Sequence, residues 1–311
     1  MEQKYQCKTP VLIIAFNRPD LLEQTFAKVR MVQPPHLYIA VDGPRPDHDG
    51  EYEKVKECQS FAKKVDWPCE VHTLFREENV GCGRGPAEAI SWAFESTERL
   101  IILEDDCVAS TSFFRFCDEM LERYNNDERV WLISGRSHQS KSKYFNRQDY
   151  IFSHYAHTCG WATWKQCWNQ FDIMMSDAPQ FLEMGGALNV LASKEQGEYY
   201  NRRFLQTFKH IDKEVTHSWD FQWVYAYMKN GGLGVVPCKN LIKNIGAYGT
   251  HTSKESKVLD MEAEELPDQL RHPLFVIKDN GYDVLHFHNH IYRNRGLWRR
   301  IMKKIMLLIK R

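Results

Sequence analysis

Short apolar runs alternate with helix-like stretches over the first 135 residues of the chain. Five runs have the apolar character of buried strands, at residues 11–16, 37–41, 71–75, 100–103 and 130–134. Helical patterns lie between them, beginning near Pro19 and spanning 51–65, 86–98 and 113–124. Because several of the strands are apolar on both faces, the alternation predicts an α/β fold with a parallel sheet covered by helices.

This alternation ends near Gly135, where a polar and basic stretch at 136–150 indicates an exposed loop. The chain beyond the loop is rich in tryptophan, with helices predicted at 195–212 and 219–230. A length of 311 residues suits one large domain or two closely joined ones. We therefore expect a first half, 1–135, and a second half, 136–292, that share one body.

Composition excludes several classes of protein. A hydrophobic fraction of 43% suits a globular core and excludes disordered and fibrous chains. Lys+Arg and Asp+Glu both number 41, so the basic surplus of a nucleic-acid binder is missing, and we expect no nucleic-acid partner. Eight of the basic residues lie in 293–311, which has no acidic residue, so an acidic body precedes a basic tail.

The cysteines and the apolar runs indicate a cellular location. The nine cysteines include no pair at CxxC spacing, which argues against a zinc ribbon or a thioredoxin-like motif. The first eight residues are polar, unlike the apolar core of a secretory signal, and no run of 18 apolar residues occurs. These features predict a protein of the reducing cytosol whose thiols are mostly buried.

An acidic triplet, Glu104-Asp105-Asp106, directly follows the predicted strand at 100–103. Ligands of open α/β sheets bind at the carboxyl ends of the strands. Adjacent carboxylates repel one another, so we expect a counter-charge beside them. Hard divalent cations bind carboxylates and often share their ligands with phosphates, which favours an Mg²⁺ or Mn²⁺ site that holds a diphosphate. The alternative is a solvated acidic turn.

Asp42 and a glycine-rich stretch at 81–85 are weaker candidates for donor binding. Asp42 follows the second predicted strand, where its carboxylate could bind a ribose or a base, or could bond its own turn. Gly-rich loops at helix starts approach phosphates. This loop matches neither the P-loop nor GxGxxG, because residue 86 is Pro, and it could equally be a flexible connection.

Asp220 lies among aromatic residues in the stretch 218–223, SWDFQW. An acid in a partly desolvated pocket can act as a base toward a hydroxyl, whereas an acid at a helix N-terminus can simply complement the helix dipole. Both interpretations remain open for this residue.

Two histidine motifs occur near the end of the chain. His251 follows a glycine-rich stretch, and a lone histidine is more often structural than a ligand. His286, His288 and His290 alternate in HFHNH, so at strand period they would share one face as a possible metal cluster. No acid or cysteine completes a known ligand pattern there, and we therefore interpret the three as structural.

The basic tail, 293–311, contains an amphipathic helical pattern. From residue 297 onward the sequence LWRRIMKKIMLLIKR places an apolar stripe opposite a cationic face. Such a helix binds the surface of an anionic membrane, and the alternative is packing on the body or on a partner.

These residues together resemble GT-A-fold glycosyltransferases, with N-acetylglucosaminyltransferase I as the closest enzyme type and with bacterial nucleotide-diphospho-sugar transferases as relatives. The resemblance rests on PVLIIAFNR at 10–18, VDG at 41–43, ILEDDC at 102–107, CGW at 159–161 and WDFQW at 219–223. It runs from about residue 9 to 252 and implies a Rossmann-like, mostly parallel sheet with helices on both faces and a closely joined acceptor-side region.

The resemblance also implies roles for single residues. Arg18 and Asp42 would contact the nucleotide, Glu104 the donor sugar and Asp105 the ribose. Asp106 would ligate Mn²⁺ or Mg²⁺, and His251 would be a second ligand or would contact the diphosphate. Gly160 and Trp161 would line the donor, and Asp220 would be the catalytic base. One departure concerns Asp220, because N-acetylglucosaminyltransferase I has two adjacent acids between its tryptophans, whereas Phe221 follows here.

The function that the resemblance implies is a metal-dependent, inverting transfer of a sugar from a nucleotide-diphosphate donor, with UDP favoured, to an acceptor hydroxyl. The acceptor would be a glycan or a lipid-linked glycan at the cytoplasmic face of the membrane, in lipopolysaccharide or capsule synthesis. Two alternatives are a sugar nucleotidyltransferase and a non-catalytic membrane-surface protein. The nucleotidyltransferase usually has a Gly-rich loop after its first strand, where this chain has Asn17-Arg18-Pro19-Asp20.

Overall fold

The computed structural model describes residues 5–139, 143–211, 218–246 and 261–292. His251 and the predicted tail helix, 293–311, lie outside these ranges. The ten strands of the described residues are β1 (Val11–Ala15), β2 (His36–Val41), β3 (Glu70–Phe75), β4 (Arg99–Glu104), β5 (Cys107–Ala109), β6 (Val130–Ser134), β7 (Tyr150–Ser153), β8 (Trp161–Trp164), β9 (Leu233–Pro237) and β10 (Ile242–Asn244).

Nine α-helices occur in the same ranges. They are α1 (Pro19–Val32), α2 (Glu51–Ser60), α3 (Gly81–Ala93), α4 (Thr111–Arg123), α5 (Lys165–Trp168), α6 (Ala178–Glu183), α7 (Lys194–Ile211), α8 (Asp220–Lys229) and α9 (Asn280–His286). Short 3-10 turns occur at Phe61–Lys64, Lys143–Phe145 and Gly186–Asn189, and a π-helical turn, Phe287–Ile291, continues α9. None of the described helices is both long and apolar enough to cross a membrane.

Eight strands form one sheet in the order β3-β2-β1-β4-β8-β6-β9-β7. The pairs β3–β2, β2–β1, β1–β4 and β6–β9 are parallel, whereas β8 runs antiparallel to β4 and β6, and β7 antiparallel to β9. β5 and β10 form a separate antiparallel pair. The predicted α/β class with a mostly parallel central sheet flanked by helices is confirmed.

The central strands are buried on both faces, as their apolar sequences predicted. Every residue of β6 is buried, and so is nearly every residue of β1, β2 and β4. Strands from both sides of residue 135 belong to the same sheet, and the buried apolar residues form one continuous core. The division into a nucleotide-sugar half at 1–135 and an acceptor half at 136–292 stays a prediction about function.

Two local predictions were wrong. The stretch at 136–150, predicted as an exposed loop, is largely buried, and of its described residues only Lys143, Asn146 and Arg147 are exposed. Later parts of the chain cover it, because Asn240 bonds to Ser137 and Arg271 bonds to Asp149.

The second error concerns α3. The helix predicted over 86–98 begins at Gly81 and ends at Ala93, so the glycine-rich stretch is its first turn rather than a loop.

The histidine-rich stretch HFHNH is helical, so His286 and His290 share a face and His288 points elsewhere. The strand period considered for this stretch does not apply, because the segment continues α9 and helical spacing decides which residues meet.

Candidate functional site

The carboxyl ends of β1 and β4 lie side by side and place a basic residue against the acidic triplet. Ile14 is in register with Glu104, and the Asp105 N–H donates to the Ile14 carbonyl at 3.0 Å. The chain then leaves β1 through Arg18 and leaves β4 through Asp105 and Asp106. Pairing of the two parallel strands therefore brings Arg18 close to Asp105, although 87 positions separate them in sequence.

Arg18 is the counter-charge that the acidic triplet required. Its Nε donates to Asp105 Oδ2 at 3.1 Å, its Nη2 also bonds Asp105 Oδ1, and Nη2 lies 3.1 Å from Asp106 Oδ2. Asn244 at the end of β10 donates its Nδ2 to the other Asp106 oxygen at 3.1 Å. Gly246 also lies against Asp106, so closely that a Cβ at residue 246 would be 2.1 Å from Asp106 Oδ2 and would clash with it.

The acidic triplet carries more negative charge than Arg18 balances. Exclusion of water raises the pKa of Glu104 well above its usual value, and the neighbouring Asp106 raises it further. Burial also raises the pKa of Asp105 to about 6, even though Arg18 opposes this effect. Three carboxyl groups thus share one contacting guanidinium in a desolvated crevice, which is an arrangement that attracts further positive charge.

Asp42 caps the start of α3. Its carboxylate accepts the backbone N–H groups of Gly43, Val80 and Gly81 at 2.9–3.1 Å, and the Asn79 side chain donates to it at 3.1 Å. These bonds satisfy N–H groups that a helix start leaves without partners. Burial raises the pKa of Asp42, and the backbone bonds oppose the rise. The predicted contact of Asp42 with a nucleotide stays a prediction.

Asp220 is exposed at the first position of α8, and Ser218 donates its hydroxyl to the Asp220 carboxylate. The first turn of α3 connects it with the rest of the site. Burial raises the pKa of the Cys82 thiol, and the charges of Glu104, Asp220 and Asp42 raise it further. Asp220 and Glu104 therefore both act on Cys82 through their charge, and the predicted role of Asp220 as a base stays a prediction.

Residues 157–161 form a wall beside the acidic triplet, because Cys159 lies against Cys107. Gly135 donates its N–H to the Gly160 carbonyl at 2.8 Å, and Gly160 has a positive φ of 65°. A Cβ at Gly160 would lie 2.5 Å from Ile242 Cδ1, so the close approach of β10 requires glycine there. Trp161 is 1% exposed and stacks on Trp219 at 5.7 Å between ring centroids. The donor contacts predicted for Gly160 and Trp161 stay predictions.

A pair of thiols borders the acidic triplet, and the sequence analysis missed it. Cys107 Sγ and Cys159 Sγ lie 3.6 Å apart, and Asn244 Nδ2 lies 3.6 Å from Cys159 Sγ. The hydrogen bond between the thiols lowers the pKa of Cys159 and raises that of Cys107. Fifty-two positions separate the two residues, so no spacing rule could have paired them.

Two other features of the surface lie at the opposite edge of the sheet. His36, Glu70 and His72 have ligand atoms within 4.8 Å of one another, but His36 and Glu70 begin β2 and β3. A cavity of about 740 Å³ is lined by Thr9, Pro10 and Arg99 at the amino ends of β1 and β4. Both features are separated from the acidic triplet by the length of the strands, so neither is part of this site.

No family model matches the sequence, and no curated protein matches it. The chain is similar to the crystal structure of S. aureus TarS 1-349, with 10% identity, a TM-score of 0.34, and coverage of 61% of this chain and 53% of that chain. The chain thus spans about half the length of that fragment.

Two further solved structures are similar at the same level. One is the inositol-1-phosphate CTP transferase from T. maritima, with 10% identity, a TM-score of 0.31, and coverage of 53% of this chain and 74% of that chain. The other is a UDP-glucose pyrophosphorylase complexed with UDP-glucose, with 8% identity, a TM-score of 0.32, and coverage of 52% and 78%. Similarities of this size carry no argument about activity, so the fold assignment rests on the sheet itself.

Proposed function

We propose that this protein is a metal-dependent inverting glycosyltransferase that uses a nucleotide-diphosphate sugar. The observation that carries the proposal is the desolvated triplet Glu104, Asp105 and Asp106 at the carboxyl end of β4, balanced only in part by the contacting Arg18. This edge of an open α/β sheet is where such folds bind ligands. The resemblance to N-acetylglucosaminyltransferase I favours a UDP-sugar as the donor.

The residues present suit a hard divalent ion. Carboxylate oxygens are the ligands that Mg²⁺ and Mn²⁺ prefer, and the surplus negative charge beside Asp106 is what such an ion would neutralise. Asp106 would hold the ion, and His251, outside the described residues, would be the second protein ligand. When bound, the ion would stabilise the charge that develops on the departing diphosphate.

The other groups of the crevice would orient the donor. Arg18 has a guanidinium that is about a quarter exposed, so it can turn toward a phosphate or a base. Glu104, at the end of β4, would meet the sugar of the donor. Asp105, held by Arg18, would accept hydrogen bonds from the ribose hydroxyls.

Asp220 would remove the proton from the acceptor hydroxyl. It is exposed in the first turn of α8, and its charge acts on Cys82 together with that of Glu104. A single displacement with inversion needs one base and no protein nucleophile, so the thiol pair Cys107–Cys159 has no covalent role in it.

Partners and location complete the proposal. The acceptor would be a glycan or a lipid-linked glycan, and the protein would act in surface-glycan synthesis from the cytoplasmic face of the membrane. The basic tail, 293–311, would bring the enzyme to anionic lipid there.

The test is to measure binding and turnover of UDP- and GDP-sugars with and without Mn²⁺. We expect a metal-dependent thermal shift with one nucleotide class and donor hydrolysis that Asp106→Ala abolishes while its circular dichroism stays unchanged. Asp66→Ala, which removes an exposed acid paired with Arg30, is the matched control and should keep wild-type activity. Full turnover in excess chelator would contradict the metal role.

The same assay separates the alternatives. A sugar nucleotidyltransferase would join a nucleoside triphosphate to a sugar phosphate and release pyrophosphate from the triphosphate. It would transfer no sugar from a nucleotide-diphosphate sugar to an acceptor hydroxyl. A non-catalytic membrane-surface protein would bind no sugar nucleotide, with or without Mn²⁺.

A further inference from the structure

Four histidines from three separate parts of the chain meet at one end of the 157–161 wall, where His157 is one of them. His138 follows β6, His157 lies between β7 and β8, and His286 and His290 belong to the helical segment that ends at 292. The ring centroids of His138 lie 4.5 Å from those of His157 and 4.7 Å from those of His290. Those of His286 lie 5.0 Å from both His157 and His290.

Two of these rings touch through their Nε2 atoms. The Nε2 atoms of His157 and His286 share a hydrogen bond at 3.1 Å, which a metal ion bound by both nitrogens would replace. Two imidazole nitrogens at ~2.0–2.1 Å from a tetrahedral zinc are about 3.4 Å apart, so a small separation of the two rings would admit the ion. His138 and His290 need a rotation of their rings to complete the set.

His286 is fully buried at 0% exposure, and its Nδ1 has no hydrogen-bond partner. Buried polar atoms in folded proteins nearly always have a partner, so a ring nitrogen without one needs an explanation. Packing by shape alone does not explain a histidine at this position, because an apolar ring of the same size would fill the space without burying a polar atom. A ligand held by these rings would account for placing four histidines there.

The helical geometry also differs from an ordinary α-helix at this point. His286 and His290 are four positions apart, which places both rings on one face. The turn Phe287–Ile291 between them is π-helical, and single π turns are frequent at functional sites. His288 lies off this face, with its Nε2 3.7 Å from Glu195.

Arg136 carries a positive charge that acts on His157 and opposes a cation there, so we expect moderate rather than extreme affinity for a metal ion.

We propose that His138, His157, His286 and His290 form a binding site for a zinc-like transition-metal ion, separate from the acidic triplet. The two sites differ in chemistry, because imidazole suits Zn²⁺ and its neighbours in the first transition row, whereas carboxylates suit Mn²⁺ and Mg²⁺. The bound ion would join the C-terminal helical segment to His157. Two residues after His157, Cys159 borders the acidic triplet, so the ion would fix the wall of the donor crevice.

The test uses the full chain, purified without a histidine tag, and measures metal content and Zn²⁺ affinity by competition with a chromogenic chelator. We expect one Zn²⁺ that His157→Ala and His286→Ala abolish. We expect His138→Ala and His290→Ala, at less buried positions, to weaken it by more than the ~10–100-fold that outer-shell partners cost. His288→Ala is the matched control from the same segment and should bind as wild type. Co²⁺ in place of Zn²⁺ should give the visible spectrum of a four-coordinate site.

Three outcomes would overturn the proposal. One is the absence of Zn²⁺ binding by the wild type. The second is Zn²⁺ binding that survives in His138→Ala and His290→Ala but is lost in His36→Ala, which would place the ion at the surface group His36, Glu70 and His72. The third is loss of Zn²⁺ in Asp106→Ala with the histidine variants unaffected. Because the readout is Zn²⁺ binding and not sugar transfer, failure of the glycosyltransferase proposal leaves this test intact.

Discussion

Arg18 Nη2 lies 3.1 Å from Asp106 Oδ2, so the carboxylate proposed as a metal ligand already has a cation beside it. In the proposed function, a divalent ion and the guanidinium would compete for the same negative charge. Loading of the ion would then require Arg18 to move away from Asp106, and the phosphates of a donor would be the natural group for it to meet. This would link metal binding to donor binding through one side chain.

This link predicts opposite effects of Arg18→Ala on two affinities. Without nucleotide, Mn²⁺ should bind about tenfold more tightly, the 1.4 kcal/mol scale of a one-unit change in pKa, because the competing charge is gone. The sugar nucleotide should bind ~10–100-fold more weakly, because a charge-assisted hydrogen bond is lost. Calorimetric titration of Mn²⁺ and of the donor measures both.

Arg115→Ala is the control for Arg18→Ala, since Arg115 also pairs with an aspartate, Asp268, but on the outside of α4. It should change neither affinity. A loss of Mn²⁺ affinity in Arg18→Ala would mean that Arg18 organises the metal ligands instead of competing with the ion.

Asp220→Asn should separate donor binding from turnover. The amide keeps the size of the side chain and can still accept the Ser218 hydroxyl, but it cannot take a proton. Donor affinity should stay within about twofold of wild type, and turnover should fall ~100–10,000-fold, the range for loss of a general base. Steady-state transfer and donor titration measure the two quantities, and near-normal turnover would remove Asp220 from the mechanism.

Gly160→Ala should destabilise the protein by at least ~2 kcal/mol. Part of the cost is the positive φ of 65°, which L-residues adopt at roughly 1–2 kcal/mol, and part is the 2.5 Å approach of the new Cβ to Ile242 Cδ1. In an Ile242→Ala background the second part disappears. Urea unfolding of both single variants and of the double variant gives the coupling free energy between residues 160 and 242. If the two destabilisations simply add, contact with Ile242 contributes nothing to the cost of Gly160→Ala.

The strand pattern and the acidic triplet could be predicted from the sequence because both are local signals. The strands at 11–16, 37–41 and 100–103 have continuous apolar character, and each is confirmed within one residue at either end. The triplet directly follows its strand, so topology alone places it at the carboxyl edge of the sheet. Three adjacent acids also predicted a counter-charge, but they did not predict that Arg18 supplies it.

The remaining features depend on contacts between distant parts of the chain. The start of α3 is set by Asp42, 38 positions before Val80, and a pattern that begins a helix at Pro86 cannot include this cap. The thiol pair and the histidine cluster are assembled in the same way, from separate strands and from a helix. The strand period considered for 286–290 does not apply, because this segment is helical.

The sequence of the basic tail predicts binding to anionic membranes. Anionic liposomes should pellet the wild-type protein, and deletion of 296–311 should abolish pelleting. Each basic residue near such a surface contributes about 1 kcal/mol, so replacing Arg299, Arg300, Lys303 and Lys304 with glutamine should weaken binding strongly while the apolar stripe remains. Liposomes of neutral lipid are the control, and equal pelleting of the deletion variant on anionic liposomes would contradict the assignment.

His154 predicts a loss of stability in mild acid. Burial lowers its pKa to about 4, whereas the unfolded chain titrates near 6.5, so below pH 6.5 the unfolded state binds a proton that the folded state does not. Stability should therefore fall as pH drops, by about 2 kcal/mol at pH 5 and ~3 kcal/mol at pH 4 from this group alone. His154→Asn keeps a donor toward the Gly232 carbonyl, which His154 Nδ1 meets at 3.1 Å, but does not titrate. Urea unfolding at pH 7 and pH 5 should show a pH-dependent loss about 2 kcal/mol smaller in the variant, and identical losses in both proteins would mean that His154 is protonated in the folded state.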